Sequence, residues 1–147
     1  MKDRYGFDAA FNYKDAPVQE QLRAAAPEGI DVYFDNVGGD HLEAALSVFN
    51  RDGRAALCGA ISSYNATEAP AGPRNMGNMI TRGLSLKGYT VGFHPGLFPD
   101  FVKDMSAWLD SGEVVFEETV VEGLGKAVHG FLELTRGANT GKMVIKL

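Results

Sequence analysis

Asp35 and Asn36 stand side by side, and Gly38 and Gly39 follow within three residues. Residues of these types at this spacing can do one of two things. Their amides and polar side chains can hold a small, anionic ligand, or they can do no more than close a turn. Ile30 to Phe34, just before them, is mostly β-branched and aromatic and predicts a buried strand that stops at Asp35. Asp40 is expected to cap a helix beginning at His41. The carboxyl end of a strand meeting a helix N-terminus is where ligands bind in parallel α/β sheets. On this stretch by itself both readings stay open.

The elements that must position these residues follow from the hydrophobic pattern. Met1 to Tyr5 reads as the tail of a helix closed by Gly6, and Phe7 to Tyr13 as a short strand. Asp15 and Pro17 mark the start of a helix with Val18, Leu22, Ala25 and Ala26 on one face, stopped by Gly29. After the strand at Ile30 to Phe34, a helix carries Leu42, Ala45, Leu46 and Phe49 and ends at Asp52-Gly53; Arg54 to Ala60 is the next strand. An irregular Ala66 to Pro73 loop leads to a short helix with Met76, Met79 and Ile80, and Leu84 to Val91 reads as a strand. Pro99 to Ser111 is strongly amphipathic, with Phe98, Phe101, Val102, Met105, Trp108 and Leu109 on one face as packing residues. A strand at Val114 to Val121, a helix at Leu124 to Arg136 with Ala127, Val128, Phe131 and Leu132 inward, and a strand at Lys142 to Leu147 complete the pattern. Strand and helix alternate as in βαβ units of a parallel sheet.

Composition narrows the function classes. With 147 residues, 45% of them hydrophobic, the chain can bury one core. A net charge of −5 without any basic run argues against a nucleic-acid partner. Cys58 is the single cysteine, which excludes an intrachain disulfide framework and fits a reducing compartment. There is no signal peptide and no apolar run of about 18 residues, so no membrane span is expected and a cytoplasmic location is. Gly123-Leu-Gly125-Lys-Ala-Val128 imitates a dinucleotide fingerprint, but Val128 replaces its third small residue. Gly137 to Lys142 imitates a phosphate loop one residue short, with Met143 where a Ser or Thr would bind magnesium. His41, His94 and His129 are far apart and lack Cys or carboxylate neighbours at metal spacing, so no metal site is expected.

Three stretches, Asp31-Val-Tyr-Phe-Asp-Asn-Val-Gly-Gly39, Cys58-Gly-Ala-Ile-Ser-Ser-Tyr-Asn65 and Gly137-Ala-Asn-Thr-Gly-Lys142, resemble in order and spacing the zinc-independent medium-chain dehydrogenase/reductases. The similarity is to their NADPH-dependent alkenal double-bond reductases, the branch of prostaglandin reductase and curcumin reductase, and Tyr64 to Pro73 is most like the bacterial members. Members of that family are more than twice this long. The resemblance therefore implies the C-terminal portion of such a reductase: an α/β fold with an incomplete Rossmann-type parallel sheet lacking its first two strands, plus C-terminal strands that would return to an absent catalytic domain. Residues 1–112 would be the later part of the NADP-binding domain and residues 113–147 a strand, helix and strand completing the fold. In a 3-2-1-4-5-6 sheet the missing strands sit between Phe7 to Asn12 and Ile30 to Phe34, leaving open edges.

Carried over residue by residue, the resemblance makes Tyr13 a contact to the adenosine-side phosphate and Asn36 a residue lining the cofactor. Cys58, Gly59, Ala60, Ile61, Ser62, Ser63 and Tyr64 would run along the nicotinamide half, with Cys58 as a small buried residue and no reactive thiol implied. Tyr89, Thr90 and Val91 would flank the nicotinamide, and Asn139 would add a C-terminal contact. Each of these could also be only a turn or core residue. The implied reaction is reduction of the carbon–carbon double bond of an α,β-unsaturated aldehyde or ketone by hydride from NADPH, in a homodimer, with this isolated chain inactive. Tyr64 is the candidate catalytic residue, because a phenol is an acid at neutral pH and its loop faces the nicotinamide. A non-catalytic module that pairs through open strand edges is the alternative from another class.

Overall fold

β-branched and aromatic residues fit a pleated, half-buried surface, and extended backbone begins where they cluster: β1 is Ile30–Asp35, the strand expected at this point. The computed structural model describes residues 2–147 as an α/β chain that divides into two units, Met1–Pro95 and Gly96–Leu147.

In the first unit, α1 (Lys2–Tyr5) ends at Gly6, whose positive φ of 70° lets its N–H reach back to the Lys2 carbonyl. The Phe7 to Tyr13 stretch does not form the expected strand. The sheet of this unit has the order β1-β2-β3 and offers this stretch no neighbouring strand, so its backbone has no ladder to join. α2 (Val18–Ala25) packs on α3 (Gly39–Val48), which covers one face of β1. Asp40 does not cap α3: the helix begins at Gly39, two residues before the expected His41, with Gly38 at the cap position and no side-chain cap.

β2 (Phe49–Leu57) starts directly after α3, well before the expected Arg54, and stops at Leu57, short of Ala60. It pairs in parallel with β1, but Ile30 opposes Phe49 while Val32 opposes Arg54, so Asn50 to Gly53 bulge outward. Asp52 takes a left-handed φ of 61° there. α4 (Gly77–Arg82) ends at Gly83 in the left-handed region, and β3 (Ser85–Gly88) pairs in parallel with β2. β3 is shorter than the expected Leu84 to Val91, because the chain turns into a 3-10 helix at Val91–Phe93. The core lies between α3 and the sheet: Ala45, Leu46, Phe49, Ala55 and Leu84 are buried, with Ile30, Tyr33, Leu42, Leu57, Met79 and Leu86 packed around them.

The second unit holds α5 (Phe98–Ser111), β4 (Glu118–Glu122), α6 (Ala127–Thr135) and β5 (Lys142–Lys146). β4 begins later than the expected Val114 and pairs in parallel with β5, from Glu118 opposite Lys142 to Glu122 opposite Lys146. Along α5, Met105 is half-buried, while Phe98, Phe101, Val102, Trp108 and Leu109 stay exposed. On α6 the expected inward set is wrong in part: Val128, Phe131 and Leu132 are exposed, and the buried residue is Gly130. A Cβ at Gly130 would lie 2.9 Å from Ile145 Cδ1, so small residues bring this helix close to β5.

Candidate functional site

Register aligns the carboxyl ends of the three parallel strands. Asp35 opposes Leu57, and Leu57 opposes Gly88, so the chain leaves the sheet at the same level three times. The next residues, Asn36, Cys58 and Tyr89, therefore stand in a row along one sheet edge. Backbone bonds continue the ladder past the strand ends: Cys58 and Gly59 N–H donate to the Asp35 carbonyl at 2.7 and 3.1 Å, and Tyr89 N–H to the Leu57 carbonyl at 2.9 Å. Ile61 N–H then reaches the Asn36 carbonyl and Ser62 N–H the Val37 carbonyl, both at 3.1 Å, and the Ser62 hydroxyl adds a 2.6 Å bond to the latter. The two loops are thus laced together. Gly38 and Gly39, at φ 70° and 52°, are needed for this approach, since a Cβ at Gly38 would sit 3.2 Å from the Ala60 Cβ and one at Gly39 3.0 Å from the Ser62 hydroxyl.

The first loop is organised by Asp35, whose side chain is 1% exposed. Its Oδ1 accepts the N–H groups of Val37 at 2.8 Å and Gly38 at 2.9 Å, and the Tyr33 hydroxyl at 3.1 Å. These bonds close the turn ahead of α3, whose own N-terminus has no side-chain cap. Burial raises the Tyr33 phenol pKa well above its ordinary value, and the charge of Asp35 and their hydrogen bond raise it further. At the outer side of α3, Glu43 and Arg74 form an ion pair at 2.7 Å. Hydrogen bonds from Arg74 hold the Glu43 carboxyl below its usual range.

The sequence-derived residues fall into three groups. Asn36, the run from Cys58 to Tyr64, and Tyr89, Thr90 and Val91 share the strand-end edge. Among the described residues the Asn36 side chain makes no hydrogen bond, and it is exposed. Cys58 is half-buried, its thiol toward the Ala56 carbonyl at 3.9 Å. The Tyr64 oxygen accepts the Ala60 N–H at 3.2 Å, while its ring is largely exposed. Tyr89 stacks on His94 with ring centres 4.9 Å apart. Tyr13 lies by the first turn of α3, its ring edge-on to His41 at 5.4 Å. Asn139 is in the other unit, where its side-chain amide donates to the Gly141 carbonyl at 2.6 Å. For Asp35 the sequence left ligand holding and turn closing open, and its carboxylate closes the turn by accepting the amides two and three residues on. Sequence reasoning missed Glu43 with Arg74, which nothing local could have joined across 31 residues.

Comparison with known proteins places this geometry in a lineage. The family model described as zinc-binding dehydrogenase matches residues 1–110. Prostaglandin reductase 1 of Sus scrofa is 37% identical over 145 residues, which cover 97% of this chain and 44% of the relative. The NADPH-dependent curcumin reductase of Escherichia coli strain K12 is 35% identical over 147 residues, covering 97% of this chain and 43% of the relative. The crystal structure of CurA in complex with NADPH from Vibrio vulnificus superposes with a TM-score of 0.89 at 37% identity, covering 99% of this chain and 44% of that one. The chain thus spans less than half the length of the curated relatives it matches.

Proposed function

The chain belongs to the zinc-binding dehydrogenase family, and from that membership we propose that its strand-end edge is part of an NADPH site in a reductase acting on carbon–carbon double bonds of α,β-unsaturated aldehydes or ketones. One observation carries the reading: three parallel strands end in register, and their first following residues, Asn36, Cys58 and Tyr89, line one edge. That is the position at which α/β sheets bind ligands. Relatives over this same span include an NADPH-dependent curcumin reductase and a structure solved with NADPH.

The residues present suit the nicotinamide and ribose half of such a cofactor. Asn36 offers an exposed amide with no protein partner among the described residues, and Thr90 an exposed hydroxyl. Both are neutral, as is the carboxamide they would meet. Tyr13, beside the first turn of α3, would contact the adenosine-side phosphate, and Asn139 would add the C-terminal contact. When bound, NADPH supplies the hydride that saturates the β-carbon of the substrate. Tyr64 would supply the proton or orient the carbonyl: its oxygen accepts the Ala60 N–H, which leaves the phenolic proton free to be donated. Among the described residues no three His, Cys, Asp or Glu side chains come together, so this chain's own residues do not make a zinc centre and no step runs through one. The functional enzyme would be a homodimer.

The test is a titration of the chain with NADPH and, in parallel, NADH, following the nicotinamide fluorescence. NADPH binding that Asn36→Ala weakens is the expected result; a folded chain that binds neither nucleotide removes the cofactor reading for this segment. In a full-length reductase of this kind, Tyr64→Phe should lower turnover far more than NADPH affinity.

A further inference from the structure

From Tyr64 to Gly72 every residue is exposed. A loop of alanine, proline and glycine without packing of its own is placed by its two ends. The near end is laced to the strand-end turn through Ser62 and Val37. The far end is held on α3. Arg74 gives Glu43 three good hydrogen bonds: Nη2 to Oε1 at 2.7 Å, Nε to Oε1 at 3.1 Å and backbone N–H to Oε2 at 2.9 Å. Asn75, the next residue, donates to the Glu43 carbonyl and the Ser47 hydroxyl, both at 2.8 Å. Between Ala71 to Pro73 on one side and Gly39 with Asp40 on the other lies a cavity of about 340 Å³, and Glu43 and Arg74 also line it.

We propose that the Glu43–Arg74 pair is a clamp that fixes the far end of the 64–73 loop against the first turns of α3, beside Gly39 and Asp40. The planar guanidinium fork, joined by its own backbone N–H, fixes the direction of the loop as well as its distance, which a lysine could not do. Asp40 adds a second negative charge acting on Arg74. An exposed pair of this kind adds little to the stability of a whole fold. Its effect is local: it selects the position of a loop that nothing else packs.

Trypsin reports on the clamp directly, because it cuts after Arg74 only when the guanidinium has left Glu43. In the intact chain, Glu43→Ala should speed cutting at Arg74–Asn75 at least about threefold relative to cutting after Arg51. Glu43→Asp, which keeps the carboxylate, should restore part of the protection. In the unaltered chain, raising salt to about 1 M should speed the Arg74 cut selectively, by screening the pair. An Arg74 cut that responds neither to Glu43→Ala nor to salt overturns the clamp. If Glu43→Ala also speeds cutting at Arg54 and Arg82, the variant has lost its fold, and the salt series on the unaltered chain decides.

Discussion

Asp35 turns a strand into a site. At 1% exposure its carboxylate is removed from water, and it is compensated by two backbone N–H groups and the Tyr33 hydroxyl on one oxygen. Removing that acceptor's charge would leave the buried donors poorly satisfied, so Asp35→Asn should destabilise the fold by about 1–3 kcal/mol. The phenol reports on the same contact. Its folded pKa lies above the unfolded value of about 10, so Tyr33 keeps its proton in the fold while the unfolded chain loses it. The stabilisation is therefore complete below about pH 10 and declines as pH rises above that value. Chemical denaturation between pH 8 and 11 should show the midpoint falling, and Tyr33→Phe should flatten that fall. In Asp35→Asn the Tyr33 transition should move down without returning to the ordinary value, because burial is the larger cause and persists.

Among the elements, α3 joins core to site: its N-terminus follows the Gly38–Gly39 turn, and its inner face buries Ala44, Ala45, Leu46 and Val48. Leu46 is fully buried in a small cluster with few neighbours able to close a void. Leu46→Ala should therefore cost roughly 2–5 kcal/mol in a denaturant titration. A loss well under 1 kcal/mol would mean that the site rests on a core that collapses around the gap. Elements were legible where periodicity and punctuation agree, as in β1 between Gly29 and the Asp35-Asn36 turn, or α5 ending at Gly112. They were misread where the decisive contact is distant or made by small residues. Phe7 to Tyr13 has strand composition but no strand to pair with, and α6 meets β5 through Gly130, so its larger apolar residues misled the assignment of its inner face. The candidate residues divide in the same way. Asn36 follows a strand as expected, but Cys58 and Tyr89, expected inside strands, stand beside it only because β2 and β3 end earlier and in register, whereas Asn139 belongs to the other unit and Glu43 needed the fold to find Arg74.

For the molecule as a whole, much apolar surface is left in water. In the first unit β1 is an edge strand of its sheet, and Val32 and Phe34 are 61% and 64% exposed. Its outer edge carries backbone donors and acceptors with no strand partner among the described residues. An apolar edge of this kind pairs readily with another chain, and natural sheets blunt such edges with charges, lysine above all. Sedimentation of the purified chain should therefore show concentration-dependent association. Val32→Lys combined with Phe34→Lys should shift the chain toward monomer, because two like charges on one edge oppose those of a second copy. Both side chains point away from the Tyr33 and Asp35 face, and exposed substitutions rarely change stability by more than about 0.5 kcal/mol. The thermal midpoint should stay nearly constant while association falls. Association that persists in the double variant would assign it to another surface, such as the exposed Val128, Phe131 and Leu132 of α6. A fall in midpoint together with association would show that the edge is stabilised by its partner, which favours a pairing module over a reductase segment that merely lacks neighbours.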